Sequence, residues 1–181
     1  MTDPAAHPSA AVRPRLPADL DACVAVLALV HEHSGYPVDW PARPAAWLTP
    51  PALLAAWTAE LDGRVVGHAA LCAAEEGDAA AAAWSSRPGR PAPAVVSRLY
   101  VSPAARGHGI GAALLERAVG AARARGLHPV LDVVAADPAA AFYERLGWQA
   151  LGGVVQQWGP GRSVLLNCYA APPADRPAAA S

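Results

Sequence analysis

The chain has 181 residues, 14 Lys and Arg against 15 Asp and Glu, and a formal net charge of -1. That balance leaves no basic footprint for nucleic acid, while one domain of this length buries roughly two thirds of its unfolded surface, enough to hold a preformed pocket for a small molecule. Alanine is the largest part of its apolar content and favours helix without filling core volume, so periodicity carries more weight than hydrophobicity.

Cys23, Cys72 and Cys168 are odd in number, far apart and set in apolar runs, which reads as reduced core thiols in a cytoplasmic protein. The start "MTDPAAHPSAAV" lacks a basic segment followed by an apolar block, and "CVAVLALV" is too short to span a bilayer, so neither export nor a membrane is expected. Residues 1–11 and 171–181 are Ala- and Pro-rich and read as disordered tails around a domain at 12–170.

An extended piece at Val12 to Arg15 precedes a first helix, whose face is Leu20, Cys23, Val24, Leu27 and Val30, with Asp19 near its start and Gly35 after its end. The proline-punctuated stretch "SGYPVDWPARPAAWLTPP" reads as a loop with at most a short helix. Strands follow at about 55 to 61 and 64 to 73, joined by the hairpin dipeptide Asp62-Gly63. Residues 74–93 read as a long connection without defined structure, then "AVVSRLYV" as a strand.

A helix is expected from Gly109 to Arg125, burying Ile110, Leu114, Ala118, Val119 and Ala122 and closed by Gly126. "HPVLDVVA" is the next strand, and "DPAAAFYERLG" a short helix with Asp137 as cap, Pro138 at its first position and Phe142 four before Leu146. Two extended runs, "WQALGGVV" and "RSVLLNCYA", end the domain. Strand and helix alternate in the second half, which argues a mixed sheet flanked by helices.

The glycines at 107, 109 and 111 mark the site. A helix entry offers unpaired N–H groups and a positive dipole end, glycine removes side chains from the approach, and Arg106 adds a charge, so the amides through Gly107, His108, Gly109, Ile110 and Gly111 suit a pyrophosphate. No lysine follows, which excludes a G-x-x-x-x-G-K loop. A dinucleotide fingerprint is matched by Gly107, Gly109 and Ala112, with Asp132 about twenty residues on. Against it, five residues separate strand from glycines, and too few units follow for a doubly wound sheet.

Two blocks, "LYVSPAARGHGIGAALLERA" and "AAAFYERLGW", resemble the GCN5-related N-acetyltransferase superfamily. Arg106, Gly109 and Gly111 match that family's [QR]-x-x-G-x-[GA] loop, and Phe142, Tyr143, Gly147 and Trp148 match its aromatic-Tyr-x-x-x-Gly-aromatic signature. The resemblance implies an α/β fold with a mixed, mostly antiparallel sheet of six to seven strands, about four flanking helices and splayed central strands. It implies acetyl-CoA as cosubstrate along Leu99, Tyr100 and Val101, with the pantetheine arm on the backbone of Leu99 and Val101 and the pyrophosphate in the loop from Arg106 to Gly111. Tyr143 would be the proton donor to the leaving thiolate. Asp137 stands where relatives often have an Asn that contacts the pantetheine arm.

The implied reaction is acetyl transfer to a primary amine, small or peptidyl. The strand before the loop reads Ala94, Val95, Val96, Ser97, without the carboxylate that many relatives use as base. His31, Glu32, His33, Asp39, Glu60 and His68 are the remaining candidates. The missing acid keeps open a catalytically degenerate, regulatory acetyl-CoA-binding module. The resemblance also allows a homodimer; no metal is expected from the His31-x-His33 pair.

Overall fold

The computed structural model describes residues 10–174. Strand β1 (Ala10–Pro14) is followed by helix α1 (Leu20–Ser34), the single turn α2 (Pro44–Trp47), and strands β2 (Leu53–Leu61) and β3 (Arg64–Ala73). Then come α3 (Ala79–Ser85), β4 (Pro93–Val101), α4 (Ile110–Ala124), β5 (His128–Val134), α5 (Ala139–Arg145), β6 (Gln149–Gln157) and β7 (Ser163–Ala170). The domain is slightly wider than expected. Ala10 and Ala11 pair with Leu61 and Glu60, and Ala171 is buried with its N–H donating to Pro129 O. Of the two expected tails, residues 1–9 and 175–181 lie outside the described residues.

Among the described residues seven strands form one sheet in the order β1-β2-β3-β4-β5-β7-β6. Leu61 faces Arg64 across the Asp62-Gly63 turn, as the dipeptide demands. Every neighbouring pair is antiparallel except β4 and β5, which α4 connects as a crossover. That parallel pair is short: Pro93 faces His128, Ala94 faces Pro129, Val95 faces Val130, and there it stops. Beyond Val95 the two strands part, each held by its outer neighbour, β4 by β3 and β5 by β7. The expected splay is therefore present, at the middle of the sheet.

Successive residues of a strand face opposite sides, and the core follows that rule. Val96 and Leu131 pack with α4 and Tyr143 of α5 on one face. Val95 and Val130 pack with α3 on the other, where α1 covers Leu48 and Tyr100. Fully buried Ala69, Ala118 and Ala122 let α4 lie close to the sheet. Among the described residues no helix is long and apolar enough to cross a membrane. The three cysteines are free and buried.

The stretch read as an undefined connection contains α3, a correction with a clear cause. A run of alanines has the highest helix propensity but no apolar contrast, so no periodic signal reveals it. Its small side chains bring Ala80 and Ala81 onto the sheet, and Trp84, 3% exposed, anchors the far end. The Trp84 ring stacks on His128 at 3.9 Å and its Nε1–H donates to Pro91 O at 2.9 Å. Trp84→Ala should cost about 3–5 kcal/mol in urea unfolding; a loss below about 1 kcal/mol would mean that α3 is not part of the core.

Candidate active site

After β4 the chain makes a 3-10 turn at Pro103–Ala105 and reaches α4 through Arg106, Gly107, His108 and Gly109. The first bond of α4 runs from Ala113 N–H to Gly109 O. The six N–H groups from Gly107 to Ala112 donate to no described residue. They form a concave run of donors at the positive end of a 15-residue helix, with exposed Arg106 beside them. The exposed His108 ties the turn through Nδ1–H, 3.1 Å from Arg106 O and 3.2 Å from Ala105 O.

Backbone conformation, not steric access, accounts for two of the three glycines. Gly107 and Gly109 adopt φ of 84° and 71°, which side chains rarely tolerate, while a Cβ at either would meet nothing within 4 Å. At Gly111 a Cβ would make ordinary van der Waals contact, 3.4 Å from Phe142 Cζ and 3.8 Å from Val101 Cγ2. Phe142 thus docks α5 against α4 and the end of β4, which links the two sequence blocks physically.

Backbone direction along β4 follows from one bond. Ser102 N–H donates to Val66 O at 2.7 Å, and antiparallel pairs alternate between bonded and non-bonded. Tyr100, opposite His68, therefore turns its backbone toward β3, whereas Val101 and Leu99 turn theirs away, into the gap left by β5. Between them lies a bulge: His68 faces Tyr100 and Ala70 faces Ser97, so Ala69 alone opposes Arg98 and Leu99. Arg98 takes the left-handed conformation there, φ 53°. Tyr100 itself lies away from the gap, its ring buried against α1 and its hydroxyl donating to Cys23 O at 2.9 Å.

Tyr143 is 7% exposed and sits among Phe142, Trp148 and Tyr169 on the α4 side. Its hydroxyl bonds to no described residue. Burial pushes its pKa well above the ordinary value, with Tyr36, Asp137 and Asp132 adding to the shift, so it holds its proton at neutral pH. Asp137 Oδ1 accepts from Ala139 N–H at 2.8 Å, the capping role that its spacing before Pro138 suggests. Ile110 gives its side chain to the core and only its amide to the loop.

The acetyltransferase (GNAT) family model matches residues 25–148, which include the loop, the parting strands and both sequence blocks. The chain belongs to the GNAT acetyltransferase family. Solved structures agree in fold: an N-acetyltransferase from Staphylococcus aureus Mu50 has a TM-score of 0.64 at 20% identity, covering 90% of this chain and 97% of that one. The ribosomal-protein-S18-alanine N-acetyltransferase from Escherichia coli gives 0.64 at 17% identity, with 96% and 99% covered. Arabidopsis thaliana NAA60 in complex with acetyl-CoA gives 0.65 at 16% identity, with 90% and 98% covered. No curated protein matches the chain in sequence. GNAT proteins use acetyl-CoA.

In this GNAT chain several base candidates already have partners. Glu60 binds Arg13, and Asp39 binds Arg162 at 3.0 Å, tying the loop after α1 to the turn before β7. His31 Nδ1 meets Pro37 O at 2.9 Å and its ring packs on Trp40. Glu32 and His33 are exposed on α1. Of the loop aromatics, Tyr36 and Trp47 join the α1 cluster, whereas Trp40 is 41% exposed.

His68 is the surprise. It is fully buried, stacked on Tyr100 at 5.3 Å, and bonded through both ring nitrogens, Nδ1 to Arg98 O and Nε2 to Arg15 Nη1, each at 2.9 Å. A guanidinium can only donate, so Nε2 accepts and Nδ1–H donates to the carbonyl. Burial, chiefly, with the Arg15 and Arg98 charges, lowers its pKa to about 4. A neutral ring held this way is no proton acceptor for an amine.

A pH effect follows. Between about 6.5 and 4 the unfolded chain protonates residue 68 while the fold does not, so stability falls as pH drops through that window, by about 3 kcal/mol in full. His128 is shifted down too, so the His68 share is isolated by comparison with a variant. Between pH 7 and 4.5, His68→Asn should lose about 2 kcal/mol less than the wild type in urea unfolding; equal losses would contradict the buried neutral ring.

Proposed function

We propose that the chain transfers an acetyl group from acetyl-CoA to a primary amine. The observation that carries this reading is a juxtaposition: the edge of β4 beyond Val95, with Leu99 and Val101 backbone groups facing the gap, is followed after one 3-10 turn by six amides, from Gly107 to Ala112, that donate to no described residue. An extended arm with amide groups adds to such an edge as a strand would, and a pyrophosphate suits the amides and Arg106. Both fit acetyl-CoA, and together they suit it better than a dinucleotide.

In the reaction the amine nitrogen attacks the thioester carbonyl carbon, the C–S bond breaks, and a proton leaves the nitrogen while the sulfur gains one. Backbone N–H groups on the gap side of β4 would stabilise the oxygen as its charge grows. Tyr143, neutral and with its hydroxyl bonded to no described residue, would donate to the departing sulfur. The Arg13–Glu60 and Arg162–Asp39 pairs and the buried state of His68 disfavour these three as the base and leave proton removal to water or to a candidate on α1.

The same observation supports a second reading, a module that binds acetyl-CoA without turnover. Thiol release from acetyl-CoA with a panel of small and peptidyl amines separates the two: amine-dependent release supports the enzyme, and binding without release supports the module. Tyr143→Phe should lower kcat roughly hundredfold with acetyl-CoA affinity nearly unchanged; equal losses in both would remove Tyr143 from the chemistry. Gly109→Val forces a branched side chain to a φ of 71° at the start of α4 and should abolish CoA binding by calorimetry. Unchanged affinity would defeat the loop as the pyrophosphate site.

A further inference from the structure

The bulge in β4 raises a question that the strand ladder does not answer. Because Arg98 is left-handed, its carbonyl oxygen is taken out of the ladder in a sheet covered on both faces. A buried carbonyl without a partner costs enough free energy for the local backbone to seek another arrangement. The partner here is His68 Nδ1–H from the neighbouring strand, at 2.9 Å. Arg15, at 2.9 Å from Nε2, selects that tautomer and is itself tied to Leu48 O at 2.7 Å and Thr49 Oγ1 at 3.1 Å. Tyr100 stacks on the ring from the directly opposed position.

The consequence reaches the gap. The peptide that carries Arg98 O also carries Leu99 N–H, so fixing the oxygen on the α1 face fixes the hydrogen of the same planar unit. Leu99 is the first residue past the bulge whose backbone faces the parted strand. We infer that His68 is a positioning residue, which acts through the Arg98–Leu99 peptide to aim the Leu99 amide into the gap where the acetyl carbonyl would lie. This rests on the acetyl-transfer reading above. His68 touches neither substrate, and its two ring bonds have separable duties: Nδ1 aims the peptide, whereas Nε2 only keeps the tautomer.

The arrangement makes an asymmetric demand on substitutions. Asparagine places an amide N–H near the position of Nδ1 and can still donate to Arg98 O. Glutamine reaches toward Nε2 and can accept from Arg15 but leaves Arg98 O without its donor. Both remove the ring and its stack on Tyr100, so a purely structural role for His68 predicts similar damage from each.

The test compares His68→Asn and His68→Gln in the full chain by kcat, by acetyl-CoA affinity from calorimetry, and by amide hydrogen exchange at Tyr100, the ladder residue next to the bulge. H68N should keep kcat within about threefold of wild type, and H68Q should lower it about tenfold or more with affinity within about threefold. Exchange at Tyr100 should quicken in H68Q and not in H68N, with Leu114 of α4 unchanged in both. Equal kcat losses in the two variants, an H68Q loss carried by affinity, or equal exchange at Tyr100 would overturn the assignment. A wild-type chain that binds acetyl-CoA without releasing thiol would overturn the acetyl-transfer reading, and the Tyr100 exchange would still decide whether His68 holds the bulge.

Discussion

The site depends on a parallel ladder that ends too soon. β4 and β5 share three residue pairs and then separate, because β3 holds one strand and β7 the other through the rest of their lengths. Backbone groups left facing a gap inside a sheet cost free energy unless something binds them, and a chain that keeps such an edge has a use for it. The edge continues into amides at the entrance of α4, so one ligand with an amide-bearing arm and a diphosphate can satisfy both. Direction along β4 is set by alternation, and the bulge at Arg98 sets where the alternation restarts.

Around that gap, a composition dominated by alanine dictates how the core is filled. Alanines at 59, 69, 70, 94, 118 and 122 are fully buried, and the helices sit close to the sheet as a result. Volume comes from a few aromatics, Tyr143, Trp148 and Tyr169 on the α4 face and Trp84 beneath α3. On the α1 face the filling is partly polar: Arg15, His68 and Arg98 reach from the sheet to α2, with the Arg98 guanidinium 4.8 Å above the Trp47 ring and its Nε donating to Trp47 O. These groups are hydrogen-bonded to one another or to backbone, the condition under which a buried polar network gives one defined geometry.

The residues that could be read from sequence were those with a local signature. The loop at 106–111 and the Phe142–Tyr143 pair stand out by spacing, the hairpin by Asp62-Gly63, and α4 by its periodic face. What escaped was set by distant contacts or by a missing contrast. The all-alanine face of α3 looks like filler until Trp84 is seen beneath the chain. His68 looks like a surface base because nothing local reveals that Arg15, fifty-three positions away, and the bulge at Arg98 enclose it. Tyr100 sits between two gap-facing residues and looks equivalent to them, but the β3 ladder and Cys23 O claim its backbone and its hydroxyl. Gly111 fits the loop motif, and its neighbour in space is Phe142, thirty-one residues on.

The most direct test is to titrate CoA into isotope-labelled protein and follow every backbone amide by NMR. The account predicts that the largest shifts fall on Leu99, Val101 and the run from Gly107 to Ala112, with Tyr100 moving much less than its two neighbours. Shifts spread elsewhere, or a Tyr100 response equal to that of Leu99 and Val101, would contradict it.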